Sequence, residues 1–131
     1  MKTVEVAAGV IRYGTKILCV QRKESELPYI SKKYEFPGGK IEHGETIENA
    51  LIREIKEELD MVIFIKEAYM TVEHKYPDFY LIMHTFICEV KSQELKLKEH
   101  ISHKWLSIDE IENLDWAAAD IPIVNRLIMN G

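Results

Sequence analysis

The sequence predicts an α+β fold in which a mixed β-sheet is sandwiched between helices, an α/β/α sandwich. Runs rich in Val, Ile, Phe, Tyr and Thr recur at about 3–13, 16–22, 61–74, 79–91 and 103–106, a composition that suits a sheet better than a helix. Between them, Ile47, Leu51, Ile55 and Leu59 form an apolar row at strict i+4 steps, the mark of one amphipathic helix. Short turns between neighbouring strand runs add antiparallel hairpins.

Each element has a local reason. The first two strands are joined by a short turn containing Gly14. Residues 23–34 are polar, include Pro28 and read as a loop. The helix at 46–59 begins at Gly44-Glu45-Thr46, with the Thr46 hydroxyl placed to cap it. Tyr76-Pro77-Asp78 separates the next two strands. After the strand at 103–106, Ser107-Ile108-Asp109-Glu110 reads as a capping box opening a short helix. A final helix is expected from about Asp120 to Met129, with Pro122 in its first turn. No repeat, low-complexity tract or linker is visible, so residues 1–131 are expected to form one domain.

Composition excludes several function classes. Hydrophobic content of 47% and charged content of 30% are those of a soluble globular protein. The net charge of −5 argues against a nucleic-acid polymer or an anionic membrane as partner, since both need a basic footprint. No apolar stretch approaches the ~20 residues of a membrane span, and Lys2 leads into a strand pattern, not a signal sequence. Cys19 and Cys88 sit in apolar runs and read as buried reduced thiols, which implies a cytoplasmic address.

The segment Gly38-Gly39-Lys40-Ile41-Glu42-His43-Gly44-Glu45, followed by Arg53-Glu54-Ile55-Lys56-Glu57-Glu58-Leu59, carries the chemistry. Glu54, Glu57 and Glu58 stand at i, i+3 and i+4 and meet on one helical surface. Glu54 and Glu58 fall beside the apolar row, whereas Asn49, Lys56 and Arg53 are assigned to the far, solvated face. Like charges at i+4 destabilise a bare helix by roughly 0.2–0.5 kcal/mol, and unpaired burial costs more. A hard cation reverses that sign. Mg²⁺ takes oxygen ligands and is shared between carboxylates and substrate phosphates.

The same residues resemble the Nudix hydrolase signature: Gly39, Glu45, Arg53, Glu54, Ile55, Glu57 and Glu58 occupy its fixed places at the right spacing. Asp60 departs from it, standing where the family usually has Gly at the helix C-terminus. Asp tolerates the left-handed conformation better than most residues, so the turn is strained but the carboxylates are untouched. The signature spans under a fifth of the chain. Glu35 to Glu42, Ala7 to Ile11 and Ile17 to Arg22 extend the resemblance toward MutT-type nucleoside triphosphate pyrophosphohydrolases. Ala118-Ala119-Asp120-Ile121-Pro122 is similar to relatives acting on CTP and modified cytosine nucleotides.

The resemblance implies the Nudix fold and a Mg²⁺-dependent enzyme, with Mn²⁺ as substitute, that converts a (deoxy)nucleoside triphosphate of the 8-oxo-dGTP or CTP type to the monophosphate and pyrophosphate. It implies Glu54, Glu57, Glu58, the Gly38 carbonyl and Glu99 as metal ligands, a carboxylate of the cluster or Glu99 as base, and Arg53 with Glu45 as the pair that orients them. Lys40 would reach a phosphate and Arg22 the nucleotide. Phe36 and Asp78 are possible base contacts by stacking and hydrogen bonding, although Phe36 equally suits a core and Asp78 a turn. Asp120 matches a base-reading position; a carboxylate there only accepts, favouring the donor edges of cytosine and guanine, while its duller reading is a helix N-cap.

His43, His74, His84, His100 and His103 show no zinc spacing with the cysteines and read as structural or surface residues. A nucleotide small molecule is the expected partner, and the chain is expected to be a monomer or homodimer. Two alternatives remain: a Nudix enzyme for a nucleotide sugar, dinucleoside polyphosphate or RNA cap, and a non-catalytic Nudix-like ligand sensor. The intact glutamates argue against the second.

Overall fold

The computed structural model describes residues 1–130. Seven strands form one mixed sheet: β1 (Lys2–Tyr13), β2 (Lys16–Gln21), β3 (Tyr34–Glu35), β4 (Gly38–Lys40), β5 (Phe64–Lys75), β6 (Phe79–Glu89) and β7 (Ser102–Leu106). Helix α1 (Ile47–Leu59) follows β4, α2 (Ile108–Ile111) follows β7, and α3 (Ile121–Asn130) closes the described chain behind a 3-10 turn at Ala118–Asp120.

Period-two alternation builds two cores from the same strands. Ala7, Ile11, Leu18, Val20 and Cys88 point to one face, where they meet Leu51, Ile55 and Leu59 of α1. Ala8, Val10, Ile17, Cys19 and Met83 point to the other, where they meet Ile111, Ile123, Val124 and Leu127. The mixed sheet sandwiched between helices is therefore the observed architecture. Both thiols are free and buried, and burial pushes each up to about 12. Among the described residues no helix is long and apolar enough to cross a membrane.

The pairing was only partly expected. β1 and β2 form the anticipated hairpin, but their mutual register is confined to Arg12↔Ile17 and Tyr13↔Lys16. Further back, β1 pairs antiparallel with β4 at Val6↔Lys40, Ala7↔Gly39 and Ala8↔Gly38. Its other edge pairs parallel with β6 from Lys2↔Phe79 to Arg12↔Glu89. β1 thus leaves β2 for β4, and the cleft described below lies where the two diverge. The strand predicted from 61 begins at Phe64; Met61 and Ile63 are buried in the α1-side core.

Candidate active site

Helix α1 supplies the acidic wall. Thr46 caps it as expected, its hydroxyl accepting the Asn49 N–H at 3.1 Å. The helix ends at Asp60, which adopts φ 54° and ψ 41°, donates its N–H to the Lys56 carbonyl at 3.1 Å, and pairs with the Lys56 ammonium at 2.9 Å. The departure from the signature glycine is thus accommodated in the left-handed region.

Arg53 corrects the helical-wheel assignment. Its side chain is only 23% exposed and turns back along the helix, because the loop before α1 places Glu45 within its reach. Nε and Nη2 donate to the two Glu45 oxygens at 2.7 and 2.9 Å. Nη1 donates to Glu54 at 2.9 Å and Glu57 at 3.1 Å, and Nη2 also reaches the Lys40 carbonyl at 3.1 Å. Bidentate charge-assisted bonds of this kind are short, strong and directional. The guanidinium holds the Glu45 carboxyl down at about 2. One planar fork therefore ties the glycine-rich loop to two of the three candidate ligands that α1 supplies.

The donor set suits a hard cation. Glu54 is only 14% exposed, and a Cβ on Gly39 would fall 2.3 Å from its carboxylate, so the glycine leaves the space that the carboxylate fills. Burial, then the neighbouring Glu54, pushes Glu58 up to about 7, with His100 pulling the other way. Two carboxyls crowded until one retains a proton near neutrality form a place where a divalent ion can replace that proton. Glu57 is 59% exposed and turned onto Arg53. Among the described residues no three acidic, His or Cys side chains converge in ligating geometry; Glu54 and Glu57 are both engaged by Arg53.

A cleft of about 1090 Å³ collects the remaining candidates. Arg22, Phe36, Gly38, Lys40, Glu54, Glu57, Glu58, Asp78, Glu99 and Asp120 all line it, with Arg53 and Glu45 immediately behind. Phe36 is buried and stacked on Trp116, with centroids 4.7 Å apart, so its core reading is the firmer one although it borders the cleft. The Asp78 carboxylate accepts the Tyr29 hydroxyl, and Tyr29 stacks on Tyr76. Glu99 is exposed and pairs with Lys23 at 3.5 Å.

Asp120 is 4% exposed, and its Oδ1 accepts the Phe36 N–H at 3.0 Å. It tethers β3–β4 to the 3-10 turn and does not cap the following helix. Burial, then the nearby Glu35, raises its carboxyl well above the usual range, with the Phe36 N–H and Arg22 opposing. The expectation of a purely accepting carboxylate changes accordingly. A neutral carboxylic acid donates as well as accepts.

The NUDIX domain family matches residues 3–127. The chain belongs to the NUDIX family. It is 30% identical over 127 residues to "8-oxo-dGTP diphosphatase" of Escherichia coli strain K12, covering 97% of this chain and 98% of that protein. It is 31% identical over 129 residues to "CTP pyrophosphohydrolase" of the same strain, covering 98% and 93%. The solution structure of "DNA Mismatch Repair Protein MutT (Family Nudix Hydrolase)" from methicillin-resistant Staphylococcus aureus 252 is 40% identical over the whole of both chains, with a TM-score of 0.76.

In this Nudix hydrolase, sequence reasoning missed several cleft residues. Phe79, Leu81 and Met83 of β6 form an apolar wall, which only the parallel β1–β6 pairing brings to the site. His100, read as structural or surface, is buried in the cleft, where its Nε2 lies 3.0 Å from Glu35. A lone histidine in a polar loop gave no signal for this.

Proposed function

We propose that this Nudix hydrolase is a divalent-metal-dependent pyrophosphohydrolase that converts a (deoxy)nucleoside triphosphate to the monophosphate and pyrophosphate. The observation that carries this reading is the one cleft lined at once by the carboxylates Glu54, Glu57, Glu58 and Glu99, by the cations Lys40 and Arg22, and by Phe36, Met83 and the buried Asp120. Acidic, basic and apolar surface together in one cleft suit a nucleotide with several phosphates. The names of two relatives, an 8-oxo-dGTP diphosphatase and a CTP pyrophosphohydrolase, support an oxidised guanine or a cytosine-type triphosphate as substrate, and cleansing of the nucleotide pool as the purpose.

Glu54, Glu57 and Glu58, with the Gly38 carbonyl and Glu99, would hold Mg²⁺ or Mn²⁺. When bound, the metal neutralises phosphate oxygens and acidifies a water. Arg53 and Glu45 hold the glutamates in place, as groups behind metal ligands do. Lys40 and Arg22 bind phosphate and nucleotide. A carboxylate of the cluster such as Glu58, or Glu99, takes the proton of the attacking water as general base. Asp120 reads the base edge. The enzyme is proposed to act in the cytoplasm on a free nucleotide, as a monomer or homodimer of one Nudix domain.

A panel of nucleoside triphosphates, nucleotide sugars, dinucleoside polyphosphates and capped RNA, scored for pyrophosphate against phosphate release, tests the reading. Faster turnover of any class other than the triphosphates would replace it with a different Nudix activity. No turnover of any of them, with nucleotide binding retained, would favour a ligand sensor.

A further inference from the structure

We propose that His100 is a positioning residue that ties the carboxylate wall of the cleft to its nucleotide wall by fixing Glu35 against Arg22. This rests on the nucleotide reading of the same cleft. The Lys98–Ile101 loop is pinned on both sides: the Lys98 N–H donates to the Glu58 carbonyl at 3.3 Å, and the Ile101 N–H to the Gln21 carbonyl at 3.0 Å. The loop thus bridges the end of α1 and the end of β2. From it the His100 side chain, 5% exposed, reaches the Glu35 Oε2 at 3.0 Å. The other Glu35 oxygen accepts Arg22 Nη1 at 3.3 Å.

The chemistry of the imidazole separates a positioning role from simple filling of space. Nε2 faces an acceptor-only carboxylate, so it is the nitrogen that carries hydrogen and donates. Nδ1 is enclosed and has no hydrogen-bond partner in the chain. A buried polar atom without a partner is costly, and an apolar side chain would fill the site without that cost. What only the histidine provides is the Nε2–Glu35 bond. Arg22 is half-exposed, and a long side chain in that setting is held in one orientation only if its partner is held. Glu35, gripped on one oxygen by a buried ring, is such a partner. Arg22 then meets the nucleotide from a fixed direction relative to Glu58 and to Glu99, which lies on the same loop.

A double-mutant cycle tests this. Wild type, Arg22→Ala, His100→Leu and the double variant are compared for affinity toward a triphosphate with a non-hydrolysable α,β-methylene bridge, and for kcat and KM. His100→Leu and Arg22→Ala should each raise the analogue Kd and the KM about tenfold with kcat changed by less than about threefold, and the double variant should be no worse than either alone. His100→Gln, whose amide can donate to Glu35, should stay within about threefold of wild type. Glu35→Gln, which leaves His100 in place, should likewise erase the effect of Arg22→Ala and keeps the test alive if His100→Leu does not fold. Multiplying effects, about a hundredfold in the double variant, would overturn the proposal, as would His100→Gln failing as badly as His100→Leu. A wild type that binds and cleaves triphosphates while showing multiplying effects overturns this inference alone; one that neither binds nor cleaves any of them overturns the nucleotide reading and this inference with it.

Discussion

Glu54, Glu57 and Glu58 all line the cleft, but Glu57 is the solvent-facing one, 59% exposed and held by Arg53, whereas Glu54 is 14% exposed. Glu57→Gln should therefore leave thermal stability nearly unchanged, since a surface ion pair is worth about 0–1 kcal/mol. Its kcat should fall by two orders of magnitude or more at saturating Mg²⁺, because the lost charge matters most in the transition state. Wild-type turnover in that variant would remove Glu57 from the metal set. Asp120 gives a second test at this scale. Its raised carboxyl is neutral below its folded pKa and ionised above it. Neutral, it donates and accepts and discriminates weakly among the base edges; ionised, it only accepts and favours the donor edges of cytosine and guanine. Measured as kcat/KM ratios across the four bases, preference for C- and G-type triphosphates over A- and U-type should grow as pH rises through the folded pKa of Asp120. Asp120→Asn, which donates and accepts at every pH, should flatten that dependence; an unchanged pH profile in Asp120→Asn would assign base choice elsewhere.

Helix α1 was legible almost residue by residue, because its cap, its apolar row and its carboxylate spacing are all local signals. Arg53 was the exception: a wheel projects Cα directions and says nothing of a long side chain folding back to Glu45 on the preceding loop. β3 and β4 escaped notice because they are two and three residues long and flank Pro37, too short to show any period. Two predictions belong to this helix. Asp60→Gly relieves a left-handed side chain and should raise stability by about 0.5–1 kcal/mol, despite the loss of the exposed Lys56 contact, with kcat unchanged. Chemical denaturation and steady-state kinetics check both halves. Glu58 sets the second. Its carboxyl is raised from its ordinary value of 4.5 to about 7 in the fold, so the stability it contributes is complete below 4.5 and is lost as pH rises through 7. Asp120 acts in the same sense. Glu45, held at about 2, acts oppositely, but only as pH falls below 4.5. In EDTA the melting temperature should therefore decline from pH 5 to pH 8, and excess Mg²⁺, which must displace the Glu58 proton, should bind more tightly with rising pH and offset the decline. A metal-free melting temperature that rises over that interval would contradict the assignment.

At the scale of the molecule, the divergence of β1 from β2 toward β4 is what makes a site. It opens the sheet where Gly38, Gly39 and Lys40 lie against Val6, Ala7 and Ala8, and the two helical layers then close the flanks. Space at that crossing is tight: a Cβ on Gly38 would sit 1.9 Å from the Ala7 carbonyl oxygen. The α+β sandwich and the acidic helix could be read from local composition and periodicity, but the parallel register of β1 with β6 could not. Strand partners distant in the chain leave no local mark, and so the apolar wall of Phe79, Leu81 and Met83 and the buried His100 emerged only from the assembled fold. The central claim is that this cleft uses a divalent metal to split a nucleoside triphosphate into monophosphate and pyrophosphate. Phosphorus-31 NMR of the wild-type reaction with CTP and with 8-oxo-dGTP, run in Mg²⁺ and in excess EDTA, tests it most directly. The account predicts nucleoside monophosphate and pyrophosphate in Mg²⁺ from at least one of the two, and intact triphosphate in EDTA. Release of orthophosphate with a nucleoside diphosphate, or full turnover in EDTA, would contradict it.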